Sequence, residues 1–440
     1  MKTYTKFLLT VGLLSLASAG LVQAQTIVRI TGSSAYRGAV TNAILHLLTS
    51  PTAGYVGSSL AGANTQIIEG TLTNTAGSFT AGTAVIFKTS WTGSLSGIVA
   101  LTTNGNTANP FLSTSNTGLA SATAGTGSDS TGATGGAVLS SPIFDAAQVA
   151  DVAMSDVFQS STKFTSPALG SPAIANGFAP ANGIVGVVPF VWVAGAADSA
   201  GKITNISSNQ VLQLMSTGLN EAQITGNIND ENNGILPTGR DPDSGTRFNA
   251  LADSGYNVVG AAPTPVVQYY VNTSGGGSTV TEFASETLPT LGAVGAGNAG
   301  YSSGSAVATD LENANTNNAT NNGVNNTANQ SILIGYVSEG DGATAVQANT
   351  GAHFVSWNGV SYGSYSGGTV TYNRTLIDNG TYTFWGYEHE YYRSGNADAA
   401  IANALSAQIA NTDAAVSGEL LGNMQCSVGI EGGPISFGQP

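Results

Sequence analysis

Apolar runs recur along the 440 residues of this chain, separated by stretches of small polar residues. The near-continuous runs at 183–193 and 332–337 are typical of strands buried on both faces. Shorter runs predict further strands at 26–30, 66–72, 83–91, 95–101 and 266–271. Helical spacing predicts a helix at 37–48, one ending at 217–218, one starting at 248, one from 300–305 to about 312, and terminal helices at 398–408 and 413–420. Because strands and helices alternate, the pattern indicates an α/β fold with largely parallel sheets.

The loop at 239–248 carries the clearest candidate chemistry. It joins the end of a short apolar run to the start of a helix, where unpaired N–H groups and the helix dipole favour an anion. Ser244 and Thr246 add hydroxyl donors, and Gly245 lets the backbone come close. Arg240 and Arg247, two of only 11 Lys and Arg residues, bracket the loop and could grip an oxyanion bidentately. An ordinary helix cap with two solvated arginines also fits this pattern.

Two other corners between a strand and a helix have a similar layout. Gly32, Ser33 and Ser34 follow the strand at 26–30, and Ser155 and Asp156 follow the apolar run that begins at 149. Each corner alone is equally typical of a plain cap or β-turn. Together with the 239–248 loop, they predict three corners that offer N–H and O–H groups to one small cavity.

Charged residues are scarce, which narrows the function. Asp, Glu, Lys and Arg make up 8% of the chain, compared with about 25% in ordinary domains, and the net charge is −14. An acidic, Lys-poor chain argues against a nucleic-acid partner. An anion would have to be captured by local dipoles and arginines. The single Cys426 excludes an internal disulfide, and three scattered histidines match no zinc motif, so we expect no metal and no cofactor.

The first 24 residues are typical of a secretory signal. Lys2 and Lys6 precede an apolar core at 7–16, and Val22-Gln23-Ala24 fits a cleavage site after Ala24. The apolar core is too short to span a bilayer stably. No Cys follows the expected cleavage site, so we expect no lipid anchor. These features predict a periplasmic or secreted protein.

The 239–248 loop resembles the phosphate-binding loop of the periplasmic phosphate-binding proteins, the substrate-binding components of phosphate ABC transporters. That family's pattern is an Arg, a nearby acidic residue and Ser-Gly-Thr, often followed by a second Arg. The resemblance covers about half of the chain in blocks at 26–48, 149–160, 184–217, 235–251, 300–312, 331–338 and 378–393. It implies a two-lobed periplasmic-binding-protein fold of type II, with two mixed or parallel sheets flanked by helices and two hinge crossings.

This resemblance implies a division of the chain. We expect a signal peptide at 1–24, a first lobe at 25–186 with a Gly/Ser/Thr-rich insertion at about 102–136, a second lobe at 187–338, and a return to the first lobe at 339–440. In the family, a strand like that at 183–193 crosses between the lobes. The motif at 334–337 resembles the point of return.

The resemblance also implies the site. Phosphate would be held at the three corners, with its charge neutralised by arginine, through Gly32, Ser33, Ser34, Ser155, Asp156, Arg240, Asp241, Asp243, Ser244, Gly245, Thr246 and Arg247. A carboxylate would accept the proton of monohydrogen phosphate and repel fully ionised sulfate. Asp156, Asp241 and Asp243 are the candidates, and Pro242, which separates the last two, leaves open which one serves.

The expected function is the binding of phosphate, or of a related oxyanion, by a monomer that delivers it to a membrane permease and is not an enzyme. Low charge and the insertions also fit a secreted surface or matrix protein that keeps this fold without transport. A secreted phosphatase or esterase would need Ser155 or Ser244 as its nucleophile, and the sequence offers neither serine a base or metal set. Glu388, His389 and Glu390 lack the helical spacing of a metal site, and the aromatic residues around them predict core packing.

Overall fold

The structure of the protein is a computed structural model. It describes residues 25–102, 110–127, 132–146, 148–171, 183–256, 266–272, 279–286, 297–313 and 331–438. The expected signal peptide, parts of the Gly/Ser/Thr-rich insertion (103–109 and 128–131) and nearly all of an Asn-rich tract at 313–329 lie outside these residues. None of the helices described is long and apolar enough to cross a membrane.

The described strands and helices follow one another in this order. The first part of the chain contains β1 (Thr26–Gly32), α1 (Arg37–Leu47), β2 (Leu48–Val56), β3 (Thr65–Leu72), β4 (Ala84–Ser90), α2 (Ser94–Thr102), β5 (Ala120–Thr123), β6 (Thr134–Gly135), β7 (Ala137–Val138), β8 (Val152–Ser155) and β9 (Ile184–Ala194). The middle contains β10 (Asn205–Ile206), α3 (Ser208–Thr217), β11 (Leu219–Asn220), α4 (Ala222–Thr225), β12 (Gly234–Thr238), α5 (Gly245–Asp253), β13 (Tyr269–Asn272), β14 (Thr279–Glu282), β15 (Ser285–Glu286), β16 (Gly297–Asn298), α6 (Gly304–Leu311), β17 (Ser331–Ser338), α7 (Glu339–Gln347) and β18 (His353–Trp357). The last part contains β19 (Gly363–Ser366), β20 (Thr369–Tyr372), α8 (Thr375–Asp378), β21 (Trp385–Tyr392), α9 (Ala399–Asn411), β22 (Cys426–Val428) and β23 (Ile435–Phe437).

The first lobe is built on the strand order β21-β8-β1-β4-β3-β2. β1 runs parallel to both β4 and β8, whereas β21 is antiparallel to β8 and β3 is antiparallel to β4. The carboxyl ends of β1, β4 and β8 therefore lie at one edge of the sheet. Helices α1 and α2 begin shortly after β1 and β4 at this edge.

The second lobe is built on β11-β12-β17-β9, with β18 and β10 beyond β9. β12 and β17 are parallel, and both are buried along their length. The carboxyl end of β12 leads into the 239–248 loop and the start of α5. The end of β17 leads directly into α7.

Strand β9 belongs to both sheets. All 11 of its residues are buried. Residues 184–189 pair with β21 of the first lobe, and residues 190–194 pair with β17 of the second. The chain therefore crosses between lobes along β9 and returns to the first sheet at β21. The predicted two-lobed α/β fold is confirmed, with sheets that are mixed rather than largely parallel.

The second lobe continues past residue 338, where the sequence placed its end. β18 pairs with the second half of β9, with Val355 opposite Trp192. Helix α7 contacts β9 and β18 as well as β17. The buried strand expected at 332–337 is present as β17, but it lies within the second lobe and not at the return to the first.

The predicted strand at 95–101 is wrong, because these residues form helix α2. Every residue of α2 is buried, so no polar face reveals the helical period. The helix predicted at 413–420 is a short 3-10 turn, Asp413–Val416. In the described part of the Gly/Ser/Thr-rich insertion, which was expected to be an extended loop, β5 pairs with β2.

One hydrophobic core runs through both lobes. At the hinge, the rings of Trp192, Trp357 and Phe384 pack against one another, with the Trp192 centroid 6.1 Å from Trp357 and 5.9 Å from Phe384, and these two 5.5 Å apart. The Tyr382 hydroxyl donates to the carbonyl of Phe190, 2.8 Å away, in the same region. The aromatic residues near the end of the chain therefore pack in the core, as the sequence predicts.

Candidate anion-binding site

Four corners between a strand and a helix meet at the junction of the lobes. The N–H of Ser33, after β1, donates to the carbonyl of Met154 in β8, 2.8 Å away. The N–H of Leu95, in the first turn of α2, donates to the carbonyl of Asp243, 3.0 Å away, and so joins the first lobe to the second. The structure thus brings the three predicted corners together and adds a fourth, between β4 and α2.

Asp156 lies at the centre of these corners. It follows β8 directly, and only 1% of its surface is exposed. Burial raises the pKa of its carboxyl to about 6, although hydrogen bonding by Ser94 and Thr246 and the charge of Arg240 all act to lower it. These three partners come from the β4–α2 corner and from the second lobe. A single carboxyl group therefore interacts with residues from both lobes.

The first turn of α5 packs against Asp156. A Cβ atom at Gly245 would clash with Oδ1 of Asp156, so only glycine allows this approach. The Asn249 side-chain amide donates to the carbonyl of Asp156, at 2.9 Å, and to that of Gly245, at 3.0 Å. Asn249 therefore fixes the start of α5 relative to the end of β8.

The Arg240 guanidinium is held rigidly beside the site. Its Nε donates to the carbonyl of Tyr301, at 3.1 Å, and its Nη2 donates to that of Ser302, at 2.9 Å. Only 3% of the residue is exposed. Main-chain carbonyls carry no net charge, so the positive charge of Arg240 is not neutralised by these contacts.

Arg247 supports the main chain of Arg240. The Nη1 of Arg247 donates to the carbonyl of Arg240, at 3.0 Å, and the Gln268 side chain donates to the same carbonyl. The Ser244 hydroxyl caps α5 by accepting from the N–H of Arg247, at 3.3 Å. Of the predicted ligands in this loop, Ser244 and Arg247 therefore shape the site through such contacts.

The prediction that Ser155 offers its hydroxyl to the anion does not fit the structure. The Ser155 Oγ donates to the carbonyl of Val157, at 3.0 Å, and lies 3.2 Å from the N–H of the same residue. Side chains alternate along a strand, so the neighbouring Asp156 projects to the opposite side, toward the other corners. The Ser155 hydroxyl is therefore bonded within its own turn, whereas Asp156 faces the other corners.

Asp241 and Asp243 are half-buried, in contrast to Asp156. The N–H of Asp241 donates to Tyr301, and the carbonyl of Asp243 accepts from Leu95. These main-chain bonds set the course of the loop. The structure therefore separates the three candidate acids by burial.

The β1–α1 corner approaches the site through its backbone. Gly32 has a φ of 111°, and a Cβ atom there would clash with the carbonyl of Met154. Ser33 is buried, whereas Ser34 is half-buried. This corner therefore presents Ser33 to the interior.

Two residues of the site were missed by the sequence analysis. Ser94 opens α2, and because the apolar run after it has the pattern of a strand, the sequence does not show the arrangement of a strand, Gly93-Ser94 and a helix. Glu388, on β21, is fully buried beside Ser33 and Asp156. The only sequence signal for Glu388 was a charged residue inside an aromatic strand, which was considered only as a metal ligand.

Several buried polar atoms at this junction lack a well-formed hydrogen bond among the described residues. They are Ser33 Oγ, Asp156 Oδ1, Asn249 Oδ1 and both carboxyl oxygens of Glu388. Buried polar groups are usually paired, so such a group of atoms indicates a place where a polar ligand would bind. No cluster of His, Cys, Asp and Glu suited to a metal ion occurs in the part of the chain that the structure describes.

Comparison with known proteins finds similarity to phosphate-binding proteins of solved structure. No protein-family model and no curated protein matches the chain. An ABC-type phosphate transport receptor from Vibrio cholerae is 13% identical over 89% of this chain and 99% of its own, with a TM-score of 0.42. PstS from Borrelia burgdorferi is 12% identical over 87% and 92%, with a TM-score of 0.34. The likeness is one of fold.

Proposed function

We propose that the protein binds inorganic phosphate in the cleft between its lobes and delivers it to the permease of an ABC transporter. The observation that carries this proposal is the arrangement around Asp156. A buried carboxyl lies within reach of the Arg240 guanidinium and of hydroxyls on the first turns of two helices. The motif at 239–248, with its resemblance to phosphate-binding loops, supplies part of this arrangement.

The mixture of groups suits a tetrahedral anion that still carries a proton. Arg240 and the N-terminal turns of α2 and α5 favour negative charge and donate hydrogen bonds. Asp156 is the exception, because an ionised carboxylate can only accept. Monohydrogen phosphate satisfies both kinds of group, whereas sulfate would leave the carboxylate facing a ligand oxygen without a proton.

We assign the acceptor role to Asp156 rather than to Asp241 or Asp243. A carboxylate discriminates most strongly where water cannot replace the ligand, and Asp156 is the most buried of the three. Its neighbours also come from the other corners. Asp241 and Asp243 contribute through their main chains.

The contacts of Ser155 and Ser244 support binding rather than catalysis. The Ser155 hydroxyl donates to a carbonyl, and the Ser244 hydroxyl caps a helix. A serine nucleophile needs a base within hydrogen-bond reach to remove its proton. The arrangement at the cleft is instead one of donors around a single acceptor.

Calorimetric titration of the purified protein with phosphate and with sulfate tests this function. We expect phosphate to bind and sulfate to bind at least about 100-fold more weakly, because the site is built to pair with a ligand O–H. Arg240→Ala should weaken phosphate binding by about 30-fold or more, since it removes a buried charged donor. Arg29→Ala is the matched control, because Arg29 pairs with Asp151 within the first lobe.

Three results would count against the proposal. No heat with any oxyanion would favour the alternative of a secreted surface protein that keeps the fold without transport. Equal affinity for sulfate would remove the acceptor role of Asp156. An Arg240→Ala variant that binds phosphate as the wild type does would place the ligand elsewhere.

A further inference from the structure

Strand β21 brings a second acidic side chain to the junction where the corners meet. In the antiparallel pairing of β21 with β8, His389 lies opposite Ser155. The next position along this register places Glu388 opposite Asp156. Cross-strand neighbours project to the same side of a sheet, so the two carboxyl groups are side by side.

Glu388 is enclosed on every side that the structure describes. It is fully buried, and neither of its carboxyl oxygens has a well-formed hydrogen-bond partner. On β9 it pairs with Gly186, where a Cβ atom would clash with the Tyr36 hydroxyl. The missing side chain at Gly186 leaves this space to Tyr36 and Glu388.

The polar groups facing Glu388 come from several elements. Ser33 and Tyr36 approach from the β1–α1 corner, and Asp156 approaches from the end of β8. Arg240 acts on Asp156 from the second lobe. The charged group beside Glu388 is therefore another acid, Asp156, and the positive charge of Arg240 stabilises the ionised form of Asp156.

Two carboxyl groups this close cannot both ionise cheaply away from water. Burial raises the pKa of Glu388 well above its usual range, and the charge of Asp156 raises it further, against a smaller opposing effect of Ser33. Asp156 has two hydroxyl partners and an arginine, and its pKa is raised only to about 6. Asp156 is then the member of the pair that loses its proton first as the pH rises, and Glu388 is the member that keeps it longer.

We propose that Glu388 is a second carboxyl of the anion site, which keeps its proton and acts as a neutral hydrogen-bond donor beside Asp156. This inference rests on the proposed function of the site. A protonated carboxyl donates a hydrogen bond without adding negative charge, which suits a protein with so few basic side chains. The pair carries one proton and one negative charge, and the oxyanion binds with that proton in place.

Anion binding is therefore coupled to the protonation of Glu388. When Glu388 loses its proton, the site gains a second negative charge and loses a donor. Phosphate binding then weakens as the pH rises through the pKa of Glu388. Burial and the neighbouring Asp156 carboxylate both raise that pKa, so the weakening belongs above the usual titration range of a glutamate.

Phosphate titrations of the wild type, Glu388→Gln and Glu390→Gln from about pH 6 to about pH 9.5 test the inference. Glutamine keeps a neutral donor and cannot ionise. We expect the wild type and Glu388→Gln to bind phosphate similarly near pH 6. In the alkaline range the wild type should bind phosphate at least about 10-fold more weakly than Glu388→Gln, because the ionised Glu388 places a second negative charge close to the anion. Comparison at each pH cancels the titration of phosphate itself.

Glu390→Gln is the matched control. Glu390 lies two residues further along the same face of β21, is fully buried, and has two carboxyl oxygens without well-formed hydrogen bonds. Its register partner is Met154, inside β8 and away from the corner. Glu390→Gln should therefore follow the wild-type affinity across the pH range.

The inference is overturned if the ratio of the wild-type affinity to the Glu388→Gln affinity stays constant with pH. It is also overturned if Glu390→Gln changes the pH dependence of phosphate binding as much as Glu388→Gln does. If the wild type binds no phosphate, the proposed function fails separately. The proton on Glu388 is still measured in that case by infrared difference spectroscopy. A protonated carboxyl band that disappears in Glu388→Gln and persists in Glu390→Gln is expected, and its absence from the wild type at neutral pH contradicts the inference.

Discussion

Asp156 is kept at the centre of the site at a cost in stability. Its pKa of about 6 in the folded protein lies above the ordinary value of 3.8. The folded state thus binds this proton more tightly than the unfolded state does, and stability is lost as the pH rises from 3.8 through 6. Two pKa units correspond to about 3 kcal/mol. An anion ligand that donates a proton to Asp156 would recover part of this cost.

Asp156→Asn should therefore stabilise the ligand-free protein while it impairs recognition of phosphate. Denaturant unfolding should give a free-energy difference between variant and wild type that is small near pH 4 and approaches about 3 kcal/mol above pH 6. The amide also donates, so sulfate should gain affinity relative to phosphate.

Asp243→Asn is the control for Asp156→Asn, because Asp243 is half-buried and reaches α2 through its main chain. It should change neither the pH dependence of stability nor the preference for phosphate by a comparable amount. A pH-independent difference for Asp156→Asn would mean that its carboxyl titrates normally in the folded state.

At the residue scale, the sequence predicted those candidate site residues that a local motif marks. Arg240 and Thr246 were found because an arginine beside a Ser-Gly-Thr helix start is informative in a chain with few basic residues. The distinction between Ser155 and Asp156 depends on the side of β8 from which each side chain projects. The local sequence does not show this direction. Glu388 reaches the site because β21 pairs with β8, which is far away in sequence. The local sequence around Glu388 does not predict that pairing.

At the scale of elements, the close approach of α5 to β8 sets the geometry of the cavity. Gly245 is the first residue of α5, and a side chain there would occupy the position of the Asp156 carboxyl. The start of α5, with its unpaired N–H groups, is held at the site by this contact and by Asn249. One absent methyl group thus allows two elements from different lobes to meet.

Gly245→Ala should weaken phosphate binding by about 10- to 100-fold, because the added carbon costs about 1–3 kcal/mol of displacement at the site. Calorimetric titration measures the loss. Gly340→Ala is the matched control: it also lies in the first turn of a nine-residue helix, α7, and a Cβ atom there meets no other atom within 4 Å. Equal affinities for the two variants would show that α5 does not approach Asp156 this closely in solution.

Helix α2 shows why one element escaped prediction. It is buried on all sides and has the composition of a core strand, so its sequence pattern does not distinguish a helix from a strand. Strands β1, β9, β12 and β17 were predicted because their apolar runs end at clear turn residues. With α2 missed, the fourth corner of the site, at Ser94, was missed as well.

On the scale of the whole molecule, the two lobes share strand β9 and one core, and they touch at the cleft. The hinge keeps the lobes together through buried aromatic packing. Across the cleft the described contacts include polar ones, such as the bond from Leu95 to Asp243. A packed hinge with a polar cleft is suited to opening and closing around a ligand. The order of elements predicted the α/β class and the family resemblance implied the two lobes, but these contacts depend on the folded arrangement.

Arg37 and Asp341 form an electrostatic link between the lobes. Arg37 begins α1 in the first lobe and donates to the side chain of Asn64, at 3.2 Å. Asp341 lies in the first turn of α7 in the second lobe and accepts from the Ser338 hydroxyl, at 2.9 Å. Burial and the nearby charge of Arg240 lower the pKa of Arg37, whereas Asp341 raises it. The attraction between Arg37 and Asp341 therefore favours the closed cleft.

The variant Asp341→Asn distinguishes a role of Asp341 in holding the lobes together from a direct effect of its negative charge on phosphate binding. If Asp341 acted only through its field, removing a negative charge would tighten phosphate binding. If it holds the lobes together, phosphate should instead bind about 2- to 5-fold more weakly and dissociate faster, since an attraction between partly exposed charges contributes up to about 1 kcal/mol. Stopped-flow dissociation rates measure the change, and small-angle scattering should show a more open ligand-free protein. Tighter phosphate binding by Asp341→Asn, with an unchanged radius of gyration, would show that the pair does not act in closure.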